Sequence, residues 1–325
     1  MAIQDNKYQA MKMNILNEGG NAIKGAQAIR GDLALDVANE VIGKLKQKWP
    51  SNNFAPLGST GKKGKDQMSG DIDIATDIPI EQAEEIKSWL ANDNTVKTRG
   101  GFDSNFMKGL KILSIGYPWA TRGVGPNSHG IVQCDIMFVP NVPRAQYFYY
   151  SPDFTKGQSQ FKGSVRNIFM IAILKNIPFQ EKPASEPFPN GHIRDFWKYT
   201  IKPQEGIVAL HQSYEGKKGQ ELKTKHTIKE DTYVVEDDPS KFTNFILGPN
   251  ATEDDMSSFE KMWEFFNSDK FYNWREQRKD KTVKDFVEDL RNENTKSPEM
   301  VDSVIQWMRK NSKADMSQLL KRGLA

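Results

Sequence analysis

The chain has 325 residues, enough for two domains or for one domain with a large helical extension. Hydrophobic residues make up 37% and charged residues 27%, a composition that fits a globular protein with a real core and does not suggest disorder. Net charge is +3, a mild basic excess that permits a polyanionic partner without requiring one. The single cysteine, Cys134, excludes an intrachain disulfide, argues against a thiolate zinc site and suits a reducing compartment. The histidines, His129, His192, His211 and His226, show no close metal-ligand spacing. The N-terminal stretch has no apolar segment of signal-peptide type, and no run reaches the length of a membrane span, so a cytoplasmic location is expected.

Residues 1–30 are polar and dotted with glycine. Residues 32–49 place Leu33, Leu35, Val37, Val41, Ile42 and Leu45 near one face, which predicts an amphipathic helix with Asp32 as N-cap and Pro50 as its stop. Phe54 to Leu57 reads as a short strand closed by Gly58-Ser59, and residues 60–70 form a Gly/Lys-rich loop. Asp71 to Ala75 alternates acid and apolar residues, the pattern of a half-buried strand. A helix is expected over 80–91, and β-type stretches over 95–117, the best being VKTRG and LKILSIGY. Residues 123–130 are rich in turn formers, and 131–139 (IVQCDIMFV) is the most strand-like segment of the chain.

After Pro140 the character changes. Residues 159–177 predict a helix with a strong apolar face. Pro178, Pro183, Pro187 and Pro189 mark a domain boundary, giving one domain over 1–180 and a second over 190–325. Residues 206–235 are ambiguous, with a Lys-rich tract followed by TYVV. Helices are expected over 252–268, 282–292 and 297–322, with Trp263, Phe265, Phe266, Trp274 and Trp307 as helical core. The expected class is α+β: a mixed sheet of four or five strands flanked by helices, followed by a mainly helical C-terminal region.

The chemistry concentrates in three places. In a strand, residues two apart share a face, so Asp71 and Asp73 project two carboxylates side by side. Two such charges repel, and a divalent cation removes the penalty; hard oxygen ligands suit Mg²⁺ or Mn²⁺. Asp135 lies between Cys134 and Ile136 in an otherwise apolar strand, where an ionised acid is costly unless it sits at an edge or binds a cation. Upstream, Gly58-Ser59 ends a strand, where a glycine lets backbone approach a ligand and N–H groups and a hydroxyl can hold phosphate oxygens. Lys62, Lys63 and Lys65 add positive charge nearby, although such lysines more often only solvate a loop. A Walker-type loop is excluded, because Gly64-Lys65 is followed by Asp66. Cys134 is expected to point into the core, away from Asp135. The run Tyr147-Phe148-Tyr149-Tyr150 is expected to pack beneath the sheet, with base stacking as the alternative.

Taken together, Leu57-Gly58-Ser59, eleven intervening residues, Asp71-Ile72-Asp73-Ile74 and a third acid on a later strand resemble the signature of the DNA polymerase β-like nucleotidyltransferases. The likeness covers roughly residues 33–140. The N-terminal NEGGNAIKG and the arrangement around 131–170 also look similar to phage-encoded homologues of that superfamily. The resemblance implies a nucleotidyltransferase core, an NTP as nucleotide substrate, and Mg²⁺ or Mn²⁺ held by Asp71, Asp73 and Asp135. It implies two metal ions, one activating the attacking hydroxyl and one holding the triphosphate. It also implies that Gly58 and Ser59 contact the nucleotide, and that the helix after the sheet contributes further. Lys162 and Arg166, four apart, are expected to share a helix face and grip phosphates, with Asn167 on a ribose hydroxyl. A solvated helix face is the competing reading of that pair. An RNA 3′ end such as tRNA is the favoured acceptor. A protein or small-molecule acceptor, or an inactive binding protein of the same fold, are the alternatives. The base of the NTP and the oligomeric state stay open.

Overall fold

The computed structural model describes residues 22–94, 96, 102–119, 130–178, 193–215, 227–279, 286–293 and 298–311. The chain divides into two compact units, Met1–Ser164 and Val165–Ala325. Each is α+β or mainly helical by its own local logic, and the class is the expected one. Residues 123–129, Pro183, Pro187, Pro189, His129, His192, His226 and most of VKTRG lie outside the described residues. Of VKTRG only Val96 is described, and its backbone is helical.

In the first unit, a short strand Ile29–Arg30 (β1) runs straight into a helix over Gly31–Lys48 (α1). Ala34, Val37, Ala38, Val41, Ile42 and Leu45 are buried along one stripe at helical spacing. Leu35 falls outside that stripe and is 38% exposed, lying over Gly61 in the following loop. Asp32 is not the N-cap. Arg30 occupies that position with no side-chain cap, because β1 pairs with Met68–Ser69 (β3) up to the helix start and the Gly31 N–H is taken by the Gln67 carbonyl. Asp32 sits in the first turn and accepts hydrogen bonds from Arg30 Nε and Nη2, both at 3.0 Å. Its charge there still favours the helix N-terminus.

The central sheet has five strands in the order β2-β4-β7-β6-β5: Phe54–Pro56 (β2), Asp71–Thr76 (β4), Asp103–Met107 (β5), Ile112–Trp119 (β6) and Gly130–Phe138 (β7). It is mixed, since β4 and β7 are parallel while the other neighbours are antiparallel. Strand alternation then sorts the side chains. Ile72, Ile74, Val132, Cys134 and Ile136 face a core that also holds the α1 stripe and Ile86 and Leu90 of a helix over Ala83–Asn92 (α2). The opposite face is covered only in part. A helix over Val142–Phe148 (α3) packs Val142 and Ala145 with Ala55, Leu57, Ala75 and Val139. Its start is capped by Asn141, whose side chain accepts from the Arg144 N–H at 2.8 Å. On that face Ala75 lies in the α3 cluster, whereas Asp71 and Asp73 on the same strand remain only half-buried.

The second unit contains most of a helix over Gly163–Asn176 (α4), with Val165, Ile168, Phe169, Met170, Ala172, Ile173 and Leu174 buried. Further helices run over Phe242–Leu247 (α5), Phe259–Phe266 (α6), Asp269–Arg278 (α7), Phe286–Glu293 (α8) and Pro298–Lys310 (α9). The rings of Phe259, Trp263, Phe266 and Phe286 surround Phe169 at 4.9–5.6 Å. The ambiguous stretch over 206–235 supplies two strands, Gly206–Glu215 (β9) and Thr227–Glu236 (β10), of a three-stranded antiparallel meander that begins with Ile193–Lys202 (β8). Helix α7 is also absent from the sequence-based expectation. Among the described residues, no helix is long and apolar enough to cross a membrane.

Candidate metal centre

The parallel pairing of β4 with β7 builds the site. Asp73 lies directly opposite Asp135 in the ladder, and Asp71 directly opposite Gln133. Residues in register on parallel neighbours point the same way, so all four side chains emerge on the face that α3 leaves uncovered. One carboxylate oxygen from each of Asp71, Asp73 and Asp135 lies within 4.8 Å of the other two. Three hard anionic donors at that spacing fit a divalent cation and suit Mg²⁺ or Mn²⁺ better than a soft metal. Cys134 is buried on the opposite face, as its alternation requires. Burial and then the charges of Asp135, Asp71 and Asp73 push its thiol well above the usual range, which keeps it protonated and inert.

No family model and no curated protein matches the chain. Two solved structures of the Cid1 poly(U) polymerase are similar to it, one of a mutant bound to MgATP and one with Mg 3′-dATP bound. They are 18% and 17% identical, each with a TM-score of 0.26. The matches cover 53% of this chain and 50% and 48% of those chains, so the chain spans about half the length of the structures it matches.

The three acids differ in their surroundings. Asp71 and Asp73 are half-buried, whereas Asp135 is 7% exposed. Gln133 donates through Nε2 to both Asp135 oxygens, at 3.0 and 3.1 Å. Ser114 stands across the ladder on β6, its buried hydroxyl close to the carboxylate but outside the geometry of a full hydrogen bond. Burial pushes the Asp135 carboxyl above its ordinary range, against smaller opposing effects of Ser114 and Gln133. A carboxyl raised in this way binds its proton more tightly folded than unfolded. In the metal-free protein its ionisation therefore costs stability above the folded pKa, and the cost is relieved as pH falls through that pKa towards the unfolded value. The Asp135→Asn protein is accordingly expected to be more stable than wild type at neutral pH without metal, with the gap closing on acidification. Thermal midpoints across a pH series measure this, and a pH-independent gap would contradict it.

The Gly58-Ser59 turn is fastened against this cluster. Leu57 N–H donates to the Asp73 carbonyl at 2.9 Å, and Asp73 N–H donates to Thr60 Oγ1 at 3.1 Å. Gly58 has φ +56°, and a Cβ there would lie 2.9 Å from Asp73 Oδ2. Its N–H donates to the Tyr149 carbonyl at 2.9 Å, so Gly58 contributes space beside Asp73 and its N–H is already engaged. Gly58→Ala is expected to cost about 1–2 kcal/mol from the left-handed backbone. It should also displace the Asp73 carboxylate, with a rate loss on the order of 10², since misplacement of about 1 Å has effects of that size. Thermal unfolding and a transfer assay check the two parts separately.

Neighbouring residues hold this turn in place. Lys62 Nζ donates to the Ser151 carbonyl and stands 4.0 Å from the centre of the Tyr150 ring. Lys63 Nζ donates to the Met68 carbonyl at 3.2 Å. These two lysines therefore brace the loop, a role intermediate between solvation and ligand binding. Phe148 is buried in α3, and Tyr149 packs against the α3 cluster. Burial and the charge of Asp73 push the Tyr149 phenol up, so it stays neutral beside the acids.

The nucleotide residues expected on α4 are arranged differently from the sequence reading. Lys162 precedes the helix and is exposed, whereas Arg166 is 2% exposed within it, so the two do not share a face. The helix begins one residue later, at Gly163, which packs against the Tyr150 carbonyl where a Cβ would come within 2.3 Å. Arg166 Nε donates to the Met256 carbonyl, and its Nη1 donates to Asn167 Oδ1 at 2.9 Å. Gln133, Ser114 and Thr60 were missed by sequence reasoning. Gln133 carries one usable signal, a second polar residue two places before Asp135 on an apolar strand.

Proposed function

We propose that the protein is a metal-dependent nucleotidyltransferase that moves an NMP from an NTP to an acceptor hydroxyl and releases pyrophosphate. The observation that carries this reading is the convergence of Asp71, Asp73 and Asp135 within 4.8 Å on one sheet face. The Gly58-Ser59 turn packed onto Asp73 supports it. Asp71, Asp73 and Asp135 would hold Mg²⁺ or Mn²⁺, which supplies charge neutralisation for the triphosphate and lowers the pKa of the attacking hydroxyl. Asp135, held by Gln133, orients the centre and is the candidate for drawing the acceptor proton. The Ser59 hydroxyl is the candidate phosphate ligand on the turn, and Lys162, exposed just before α4, is the second candidate. The ribose role of Asn167 rests on the sequence resemblance; within the second unit its Oδ1 accepts from Arg166 Nη1.

For the acceptor we favour an RNA 3′ end, on the net charge of +3 and the Lys-rich stretch over 216–229. Incubating the protein with each α-labelled NTP, Mg²⁺ or Mn²⁺, and total cellular RNA and protein tests both substrates at once. Label in RNA, lost steeply as salt rises, is the expected result. Label in protein or a small molecule would replace the acceptor and keep the chemistry. No incorporation with any NTP would overturn the enzymatic reading in favour of a binding protein of the same fold.

A further inference from the structure

Gln133 is 1% exposed at the centre of the sheet, and every polar atom of its side chain has work. Its Oε1 accepts from the N–H groups of Ala22, at 2.9 Å, and Ile23, at 3.3 Å. Its Nε2 donates to both oxygens of Asp135. A backbone N–H can only donate, so these two bonds fix which end of the amide is oxygen and force the NH₂ onto Asp135. A glutamate in this place would turn an acceptor towards a carboxylate, and an apolar side chain would serve neither end. The Ala22–Ile23 segment is itself seated. Ile23 is 3% exposed and lies over Gly116, where a Cβ would come within 3.0 Å of its Cγ2. Gln27 N–H donates to the Ile131 carbonyl at 2.8 Å, which anchors the same segment along β7.

From these contacts we propose that Gln133 is a positioning residue that ties the Ala22–Ile23 backbone to the Asp135 carboxylate. The segment before α1 thereby becomes part of the metal centre's construction. This inference rests on the metal-centre reading above. Partners of metal ligands at this remove change affinity or activity by roughly 10–100-fold when lost. The test is Mn²⁺ binding to the full chain, followed by titration calorimetry, for wild type, Gln133→Met and Ala22→Pro. Gln133→Met keeps the length of the side chain and removes both sets of bonds. Ala22→Pro leaves Gln133 intact and deletes one N–H that orients it. The expected result is a Kd for Mn²⁺ raised about 10–100-fold in Gln133→Met, raised in the same direction in Ala22→Pro, with faster amide exchange at Ile23 in Gln133→Met. Circular dichroism establishes that each variant is folded, and Ala22→Pro decides the matter should Gln133→Met fail to fold. Wild-type Mn²⁺ affinity in a folded variant would overturn the positioning role and leave the metal centre standing. Absence of Mn²⁺ binding by the wild type would overturn both.

Discussion

In the Asp73→Asn protein, Mg²⁺-dependent NMP transfer is expected to fall by about 10³ or more, while the metal-free fold becomes more stable. The size follows from the several kcal/mol of charge stabilisation a bound cation supplies, at about 1.4 kcal/mol for each tenfold in rate. The opposite sign for stability follows from the geometry. Three carboxylates on one sheet face each bring an oxygen within 4.8 Å of the others, and Asn keeps the shape of Asp73 while removing one charge. Pairs at about 4 Å interact by roughly 1 kcal/mol in water and more near a protein surface. Thermal unfolding with and without Mg²⁺ separates the effects. Wild type should gain stability on adding metal, by about 2.7 kcal/mol at a hundredfold excess over Kd, and Asp73→Asn should gain little. Asp71→Asn should behave alike. Full activity in either variant would remove the carboxylates from the chemistry.

Phe169→Ala is expected to be the most damaging single change to the second unit, at about 3–5 kcal/mol. The residue is fully buried in α4, and four aromatic rings from α6 and α8 close around it. Truncation leaves a cavity bordered by rigid rings, which relax poorly into the space. Phe169→Leu, which refills part of the volume, should recover a good part of the loss. Denaturant unfolding of the two variants measures this, and equal midpoints for Phe169→Ala and wild type would show that the ring cluster is not a structural centre.

Much of the site is legible in the chain because strand periodicity is local. Asp71-Ile72-Asp73-Ile74 declares a strand with acids on one face, and the apolar run around Asp135 makes that acid conspicuous. The α1 stripe is legible for the same reason, apart from Leu35, whose angular position lies just beyond the buried arc. Other features were hidden because their cause lies at a distance along the chain. Asp32 reads as a cap until the pairing of β1 with β3 is known, since that pairing occupies the approach to the helix. Lys162 and Arg166 read as one helix face until the close packing of Gly163 on Tyr150 sets where the helix begins. The β8–β10 meander was obscured by a Lys-rich tract that breaks the alternation between strands.

The sequence by itself determined the residue types, the spacing of the first two acids and the face they share, because a two-residue period needs no knowledge of neighbours. Only the tertiary structure decided that β4 and β7 lie side by side and parallel, which sets Asp135 opposite Asp73 and Gln133 opposite Asp71. Strand order across the intervening residues 77–129 depends on how the whole core is buried, and no local pattern encodes it.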